Sequence, residues 1–255
     1  MRDAGLDEAI RAAGGVGALA QKIGISQPSV SNWSRVPAER VVGVEAVTGI
    51  PRATLRPDLY GTQGDIDEVD AARAHQYALL ALLLARAPDA ATLARLATLR
   101  GDASPLGLAY AALAEAAAGA NAERVEREFF NLFIGLGRGE LMPYGSYYQS
   151  GFLYERPLAR LREGLLRFGI ERSEGNCEPE DHAATLCEIM SGLVSGKLPA
   201  PAGADRELFE KHLAPWLGRF FADLESAKEA DFYRQVGALG GLFVNIESEA
   251  FALPS

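Results

Sequence analysis

Residues 177–188, "CEPEDHAATLCE", pack two thiols, one imidazole and four carboxylates into twelve positions. Such a set could ligate a metal, arm a nucleophilic cysteine or hold a cationic ligand. Spacing argues against the metal. Pro179 suits the first turn of a helix, and Glu180 and Asp181 suit the positive end of its dipole, so a helix is expected to start near Pro179. On that helix His182 and Cys187 point about 140° apart, and no CxxC, HxxxH or ExxH pair is present. A reactive thiol needs a base and positive surroundings. Cys187 falls on the apolar side with Ala183 and Met190, and Cys177 sits among acids, so no catalytic residue, metal or cofactor is expected. His182 heads a stripe with Leu186, Ile189 and Leu193 and is expected to face a helical core, with the carboxylates beside it facing out or along a groove.

Two further stretches carry candidate chemistry. Residues 135–151, "GLGRGELMPYGSYYQSG", are glycine-rich and aromatic and read as a long loop, the kind that is functional or disordered inside a compact domain. Its "GLGRGE" follows a helix and lacks the lysine of a phosphate-binding loop. Upstream, "ALAQKIGISQPSVSNW" has the parts of a helix-turn-helix. Leu19, Ala20 and Ile23 face inward from one helix, Gly24 permits the turn, and Val30 and Trp33 face inward from a second helix running from an N-cap at Ser26 to Arg35. Gln27, Ser29, Ser31, Asn32 and Arg35 are left outward, where Gln and Asn could read adenine and Ser could reach phosphate or base edges.

The elements that must position these groups are helices. Short helices punctuated by glycine are expected over Leu6–Ala13, Val16–Ile23 and Ala38–Thr48, followed by a turn-rich exit. Residues 61–70, "GTQGDIDEVD", read as a linker. Beyond them every segment has helical period. Val125, Phe129, Leu132, Phe133 and Leu136 share a face, as do Leu158, Leu161, Leu165 and Phe168. Phe209, Leu213, Trp216, Leu217, Phe220 and Leu224 do likewise, with a kink expected at Pro215. No stretch alternates like a strand. The expectation is an all-α protein: a helix-turn-helix module over 1–61, a linker over 62–69 and a bundle of roughly eight helices over 70–255.

Bulk properties fit this division. Residues 1–60 hold seven Lys/Arg against six Asp/Glu, whereas residues 61–255 hold 18 against 28. The acidic part should repel nucleic acid and attract basic ligands or peptides. The near-neutral first part would need a dimer to bind DNA, or serves as a protein-interaction module. Two cysteines form no disulfide framework, the longest apolar run, Tyr77–Ala85, is about half a membrane span, and the first residues lack a signal-peptide pattern. A reduced, cytoplasmic protein without stable membrane insertion is expected.

Two resemblances sharpen this. Residues 5–61 resemble the Cro/YdaS-like family of small repressors and antitoxins, which implies DNA binding through Gln27, Ser29, Ser31, Asn32 and Arg35. Residues 70–255 resemble the TorD/DmsD family, cytoplasmic chaperones of molybdenum enzymes. Its E/P-x-D-H element is matched by Glu178, Pro179, Asp181 and His182, and its Tyr/Trp-x-S-x-aromatic element by Tyr144, Ser146 and Tyr148. The resemblance implies a non-enzymatic, all-helical binder of the apo-enzyme and its twin-arginine signal peptide, with formate dehydrogenase the client that overall likeness favours. It places the peptide groove at Tyr144, Ser146, Tyr147, Tyr148, Glu178, Pro179, Glu180, Asp181 and His182. Independently, a paired-arginine peptide needs carboxylates in fork geometry beside an apolar trough. Glu180 and Asp181 could supply the first, and the Tyr144–Tyr148 loop with Phe152 the second. The first module is not part of that family's basic pattern, so the chain reads as a fusion, and a regulator with a helical sensor is the alternative.

Overall fold

The computed structural model describes residues 2–56, 68–171 and 178–253. The chain divides into two units, Met1–Asp67 and Glu68–Ser255, each with its own core. The expected linker, 62–69, lies outside the described residues except Glu68 and Val69, which open a helix.

The first unit holds α1 (Ala4–Ala13), α2 (Val16–Lys22), α3 (Gln27–Ser31), a 3-10 turn (Ala38–Arg40), α4 (Val41–Thr48) and a short α5 (Arg52–Leu55). Asp3 caps α1 through the Leu6 amide at 2.8 Å, and Gly14 ends it at φ 93°, a conformation glycine adopts without strain. Leu6, Leu19, Val30, Val36, Val41, Val44 and Leu55 are fully buried and form its core. Ser26 caps α3 as expected, but α3 ends at Ser31, with Asn32 at its C-cap instead of continuing to Arg35.

The second unit runs α6 (Glu68–Ala85), α7 (Ala90–Leu96), α8 (Pro105–Gly119), α9 (Ala122–Phe129) with a π turn (Phe130–Ile134), and α10 (Gly145–Ser150). It continues with α11 (Arg156–Arg167), α12 (Ala183–Val194), α13 (Ala204–Leu208) with a second π turn (Phe209–Leu213), α14 (Leu217–Ser226) and α15 (Phe232–Ala252). Among the described residues there is no strand, only an isolated antiparallel bridge. The all-α expectation holds. The ten α-helices among the described residues of the second unit exceed the expected eight because Pro215 breaks one segment into α13 and α14, and because the long loop contains α10. α9 closes sooner than the apolar pattern predicts. Gly135 turns the chain at φ 63°, so Leu136 leaves the expected face and is 98 % exposed.

α6 packs along α12, and α14 along α15, around a core that includes Tyr77, Leu186, Met190, Trp216, Phe220 and Tyr233. Two acids tie this core together. Buried Glu247 on α15 accepts from Arg73 of α6 at 2.8 and 2.9 Å and from the Tyr77 hydroxyl at 2.9 Å. Glu128 on α9 accepts from the Asp231, Phe232 and Tyr233 amides at 2.8, 3.2 and 2.7 Å, supplying from a distant helix the N-cap that α15 lacks locally.

Candidate functional site

The acid-rich segment and the tyrosine loop meet backbone to backbone. Tyr144 and His182 form the isolated bridge, with Gly145 N donating to Asp181 O at 2.9 Å and Ala183 N to Pro143 O at 2.8 Å. This join places the N-terminus of α10 against that of α12. Gly145 suits the crossing, since a Cβ there would sit 3.0 Å from Trp216 Nε1, whose hydrogen is already given to His212 O at 2.7 Å.

Asp181 is only 3 % exposed. It does not face outward as the sequence reading expects. Its Oδ2 accepts from Ser146 N at 2.6 Å and holds the first turn of α10. Its Oδ1 and the Ser146 hydroxyl are buried without a hydrogen-bond partner among the described residues. The reason for the correction is the helix start. α12 begins at Ala183, with Pro179–Asp181 forming a turn before it, so Asp181 lies outside the helix and points back at α10.

His182 is the N-cap of α12. Its Nδ1 accepts from Ala184 N at 3.1 Å, so the neutral ring carries its proton on Nε2. Its ring meets Tyr144 edge-on at 5.1 Å. Burial lowers the His182 pKa, against the opposing pull of Glu178 and Asp181. The Tyr144 hydroxyl donates to Glu178 Oε1 at 2.5 Å. Burial, and then this carboxylate, push the phenol pKa upward.

Tyr144, Glu178 and His182 line a cavity of about 690 Å³ together with Glu188 and an apolar wall that includes Phe129 and Phe133. A second cavity of about 770 Å³ shares Glu178, Thr185, Glu188 and Ser191 with the first. It adds Glu180, Arg162 and an apolar lining of Leu165, Leu166, Ile189 and Leu198. The two cavities lie side by side at the shared residues, three of which are on α12, and together they are termed the groove. Sequence reasoning missed Thr185, Glu188 and Ser191. Their i, i+3, i+6 spacing, opposite buried Leu186, Cys187 and Met190, was the available signal.

The remaining expected residues part company. Tyr147 and Tyr148 line neither cavity. Tyr148 stacks near Trp216 at 5.5 Å and donates to Asp223 at 2.9 Å, with the Arg219 guanidinium over its ring at 5.0 Å. Burial and Asp223 raise its pKa. Tyr147 carries Arg138 over its ring at 5.1 Å and hydrogen-bonds it. Phe152 is exposed and lines neither cavity, and Pro179 is buried. Glu180 is bound by Arg162 through Nε and Nη2 at 2.9 and 2.8 Å. Cys187 is fully buried, which pushes its thiol up to about 12, as fits a core residue. Cys177 lies outside the described residues.

In the first unit Gln27, Ser29, Ser31, Asn32 and Arg35 are all exposed. The Ser29 hydroxyl is bonded to Ser26 Oγ at 2.7 Å, and Arg35 stands beyond the helix end.

Comparison with known proteins follows the same division. Residues 99–222 match the family described as nitrate reductase delta subunit, and residues 6–64 that described as bacterial toxin YdaS. The chaperone protein TorD of Vibrio cholerae is 29% identical over 102 residues, covering 36% of this chain and 46% of TorD. That of Vibrio parahaemolyticus is 24% identical over 131 residues, covering 48% and 61%. The matched region thus spans about half the length of these curated relatives. A solved structure of a candidate redox enzyme maturation protein from Archaeoglobus fulgidus has 19% identity and a TM-score of 0.48, covering 68% of this chain and 93% of that one. The second unit is thus similar over part of its length to TorD chaperones and the nitrate reductase delta subunit family, and the first to the YdaS family.

Proposed function

We propose that this protein is a cytoplasmic chaperone, without catalytic activity, that binds the twin-arginine signal peptide and apo-form of a molybdenum-containing redox enzyme. In this reading it assists maturation before export, and formate dehydrogenase is the favoured client. The observation that carries the reading is the groove at α12, where Glu178 and Glu188 stand at the shared rim of two cavities with apolar walls. A guanidinium pair followed by an apolar stretch matches a carboxylate rim leading into an apolar trough. Asp181 cannot take a guanidinium from its buried position, so Glu178 and Glu188 replace it as the acceptors. The relatives named as TorD chaperones support the class of function. Among the described residues no helix is long and apolar enough to cross a membrane.

Calorimetric titration of the full chain with a client leader peptide tests this. A Lys-Lys version should bind about tenfold or more weakly, since lysine cannot fork to a carboxylate. Glu188→Gln should weaken the Arg-Arg peptide alone. Equal affinity for the two peptides overturns the carboxylate-rim account.

A second reading concerns the first unit. The exposure of Gln27, Ser29, Ser31, Asn32 and Arg35 on and just after α3 favours DNA contact by the helix-turn-helix. A homodimer would supply the paired half-sites.

A further inference from the structure

One acceptor that the sequence assigns to the client is already occupied by the chain itself. Arg162 Nε and Nη2 both donate to Glu180 Oε2, at 2.9 and 2.8 Å. The pair stands on the groove, where Arg162 and Glu180 line the second cavity beside Glu178 and Glu188. The two partners differ in freedom. The Glu180 side chain is 13% exposed, whereas that of Arg162 is 48% exposed. The acceptor is mostly covered, whereas about half of the donor side chain faces water. Arg138 over Tyr147 and Arg219 over Tyr148 repeat the motif of guanidinium on acceptor, but neither tyrosine lines the two cavities, so those arginines serve packing.

We propose that Arg162 is an internal stand-in for a client guanidinium, and that an arginine of the bound leader takes Glu180 by displacing it. The inference rests on the chaperone reading and adds its regulation. Displacement trades one guanidinium–carboxylate contact for another of the same kind. An exposed pair adds little stability, so the exchange is close to balanced and the apolar contacts of the leader decide it. Such a device has a purpose in a chaperone. It keeps an acidic groove from holding single basic residues of unrelated proteins, because a lone arginine without the apolar run gains nothing by the exchange. It also selects arginine over lysine, since only a guanidinium restores the pair of N–H bonds removed.

The test titrates an Arg-Arg leader peptide into the full chain and its variants. Arg162→Gln is expected to tighten binding up to about fivefold. Arg162→Lys should stay nearer wild type, because a charge still occupies Glu180. Arg160→Gln, an exposed site on the same helix that does not line the cavity, controls for loss of one positive charge and should change affinity by less than about twofold. Glu180→Gln should matter little alone and should cancel the gain when combined with Arg162→Gln. Binding by wild type with no gain in Arg162→Gln, or a gain that survives Glu180→Gln, overturns the inference while leaving the chaperone reading intact. No binding by wild type or any variant overturns both.

Discussion

His182 has its imidazole committed on two sides, and this sets how the protein responds to acid. Nδ1 must stay unprotonated to accept from Ala184 N and cap α12, and the ring edge is packed on Tyr144. The charged groups facing it are Glu178 and Asp181, which favour the imidazolium, and burial outweighs them to hold its pKa below the ordinary 6.5. His212, also half-buried, moves the same way, from burial first and then Lys211. A histidine depressed in the folded state contributes stability that is fully present above the unfolded pKa. That contribution is lost as pH falls from there through the folded value, because the unfolded chain takes the proton first. Urea denaturation should therefore show stability declining between about pH 7 and about pH 5. Asparagine also caps helices, so His182→Asn should keep most of the stability at neutral pH and flatten the decline. An unchanged decline would assign the effect to other groups. The sequence leads one to expect His182 facing the helical core, and it stands part-buried at the N-cap of α12. Asp181 was misread because its partner, the Ser146 amide, is 35 residues away, and local charge at a helix start offered a sufficient but wrong explanation.

At the scale of helices, apolar periodicity read correctly along α11 and from Phe209 to Leu224, but not at Ile246 on α15, which is exposed. Leu158, Leu161, Leu165 and Phe168 are all buried, and the break at Pro215 falls between α13 and α14. What periodicity could not show is how closely two helices approach. α15 carries Gly237 and Gly240 where α14 crosses it. A Cβ on Gly237 would lie 2.5 Å from Glu225 N and 2.9 Å from Phe221 O, and one on Gly240 2.3 Å from the Phe221 ring. In sequence these glycines only weaken the case for a helix. In the fold they let two backbones touch. Gly237→Ala would gain up to about 1 kcal/mol of helix propensity, but the atoms it meets are main chain and cannot yield, so the helices must part. A net loss of about 1–3 kcal/mol is expected. Gly218→Ala on α14, whose Cβ would meet only Val244 Cγ1 at 3.8 Å, should be neutral or stabilising. Thermal and urea unfolding of the two variants side by side decides whether close approach or propensity governs. The tyrosine loop was half legible for a related reason. Its glycines read as loop, yet Gly145 opens α10 and lies close beneath Trp216, where a Cβ would be tight.

For the whole molecule, the division of charge was the most informative sequence property, and it sets the terms for the DNA reading. Residues 1–60 are nearly neutral and residues 61–255 carry ten more acidic than basic residues. Phosphate neutralisation supplies most non-specific affinity. The first unit offers few cations for it, and the acidic body adds repulsion that reaches about a Debye length. Affinity would then rest on base contacts from Gln27 and Asn32, each worth about 1–3 kcal/mol. Binding of the full chain to its own promoter fragment should accordingly be seen at low ionic strength and fall with salt on a shallow slope, corresponding to about four phosphate contacts or fewer. Asn32→Ala and Gln27→Ala should remove sequence preference without changing that slope, whereas Arg35→Ala should reduce the slope by about one. A gel shift or fluorescence anisotropy series over salt, with a scrambled fragment as competitor, separates these cases. No binding at low salt would leave the helix-turn-helix as a protein-interaction module, whereas equal affinity for both fragments would remove the base-reading role of Gln27 and Asn32 and leave only phosphate contact.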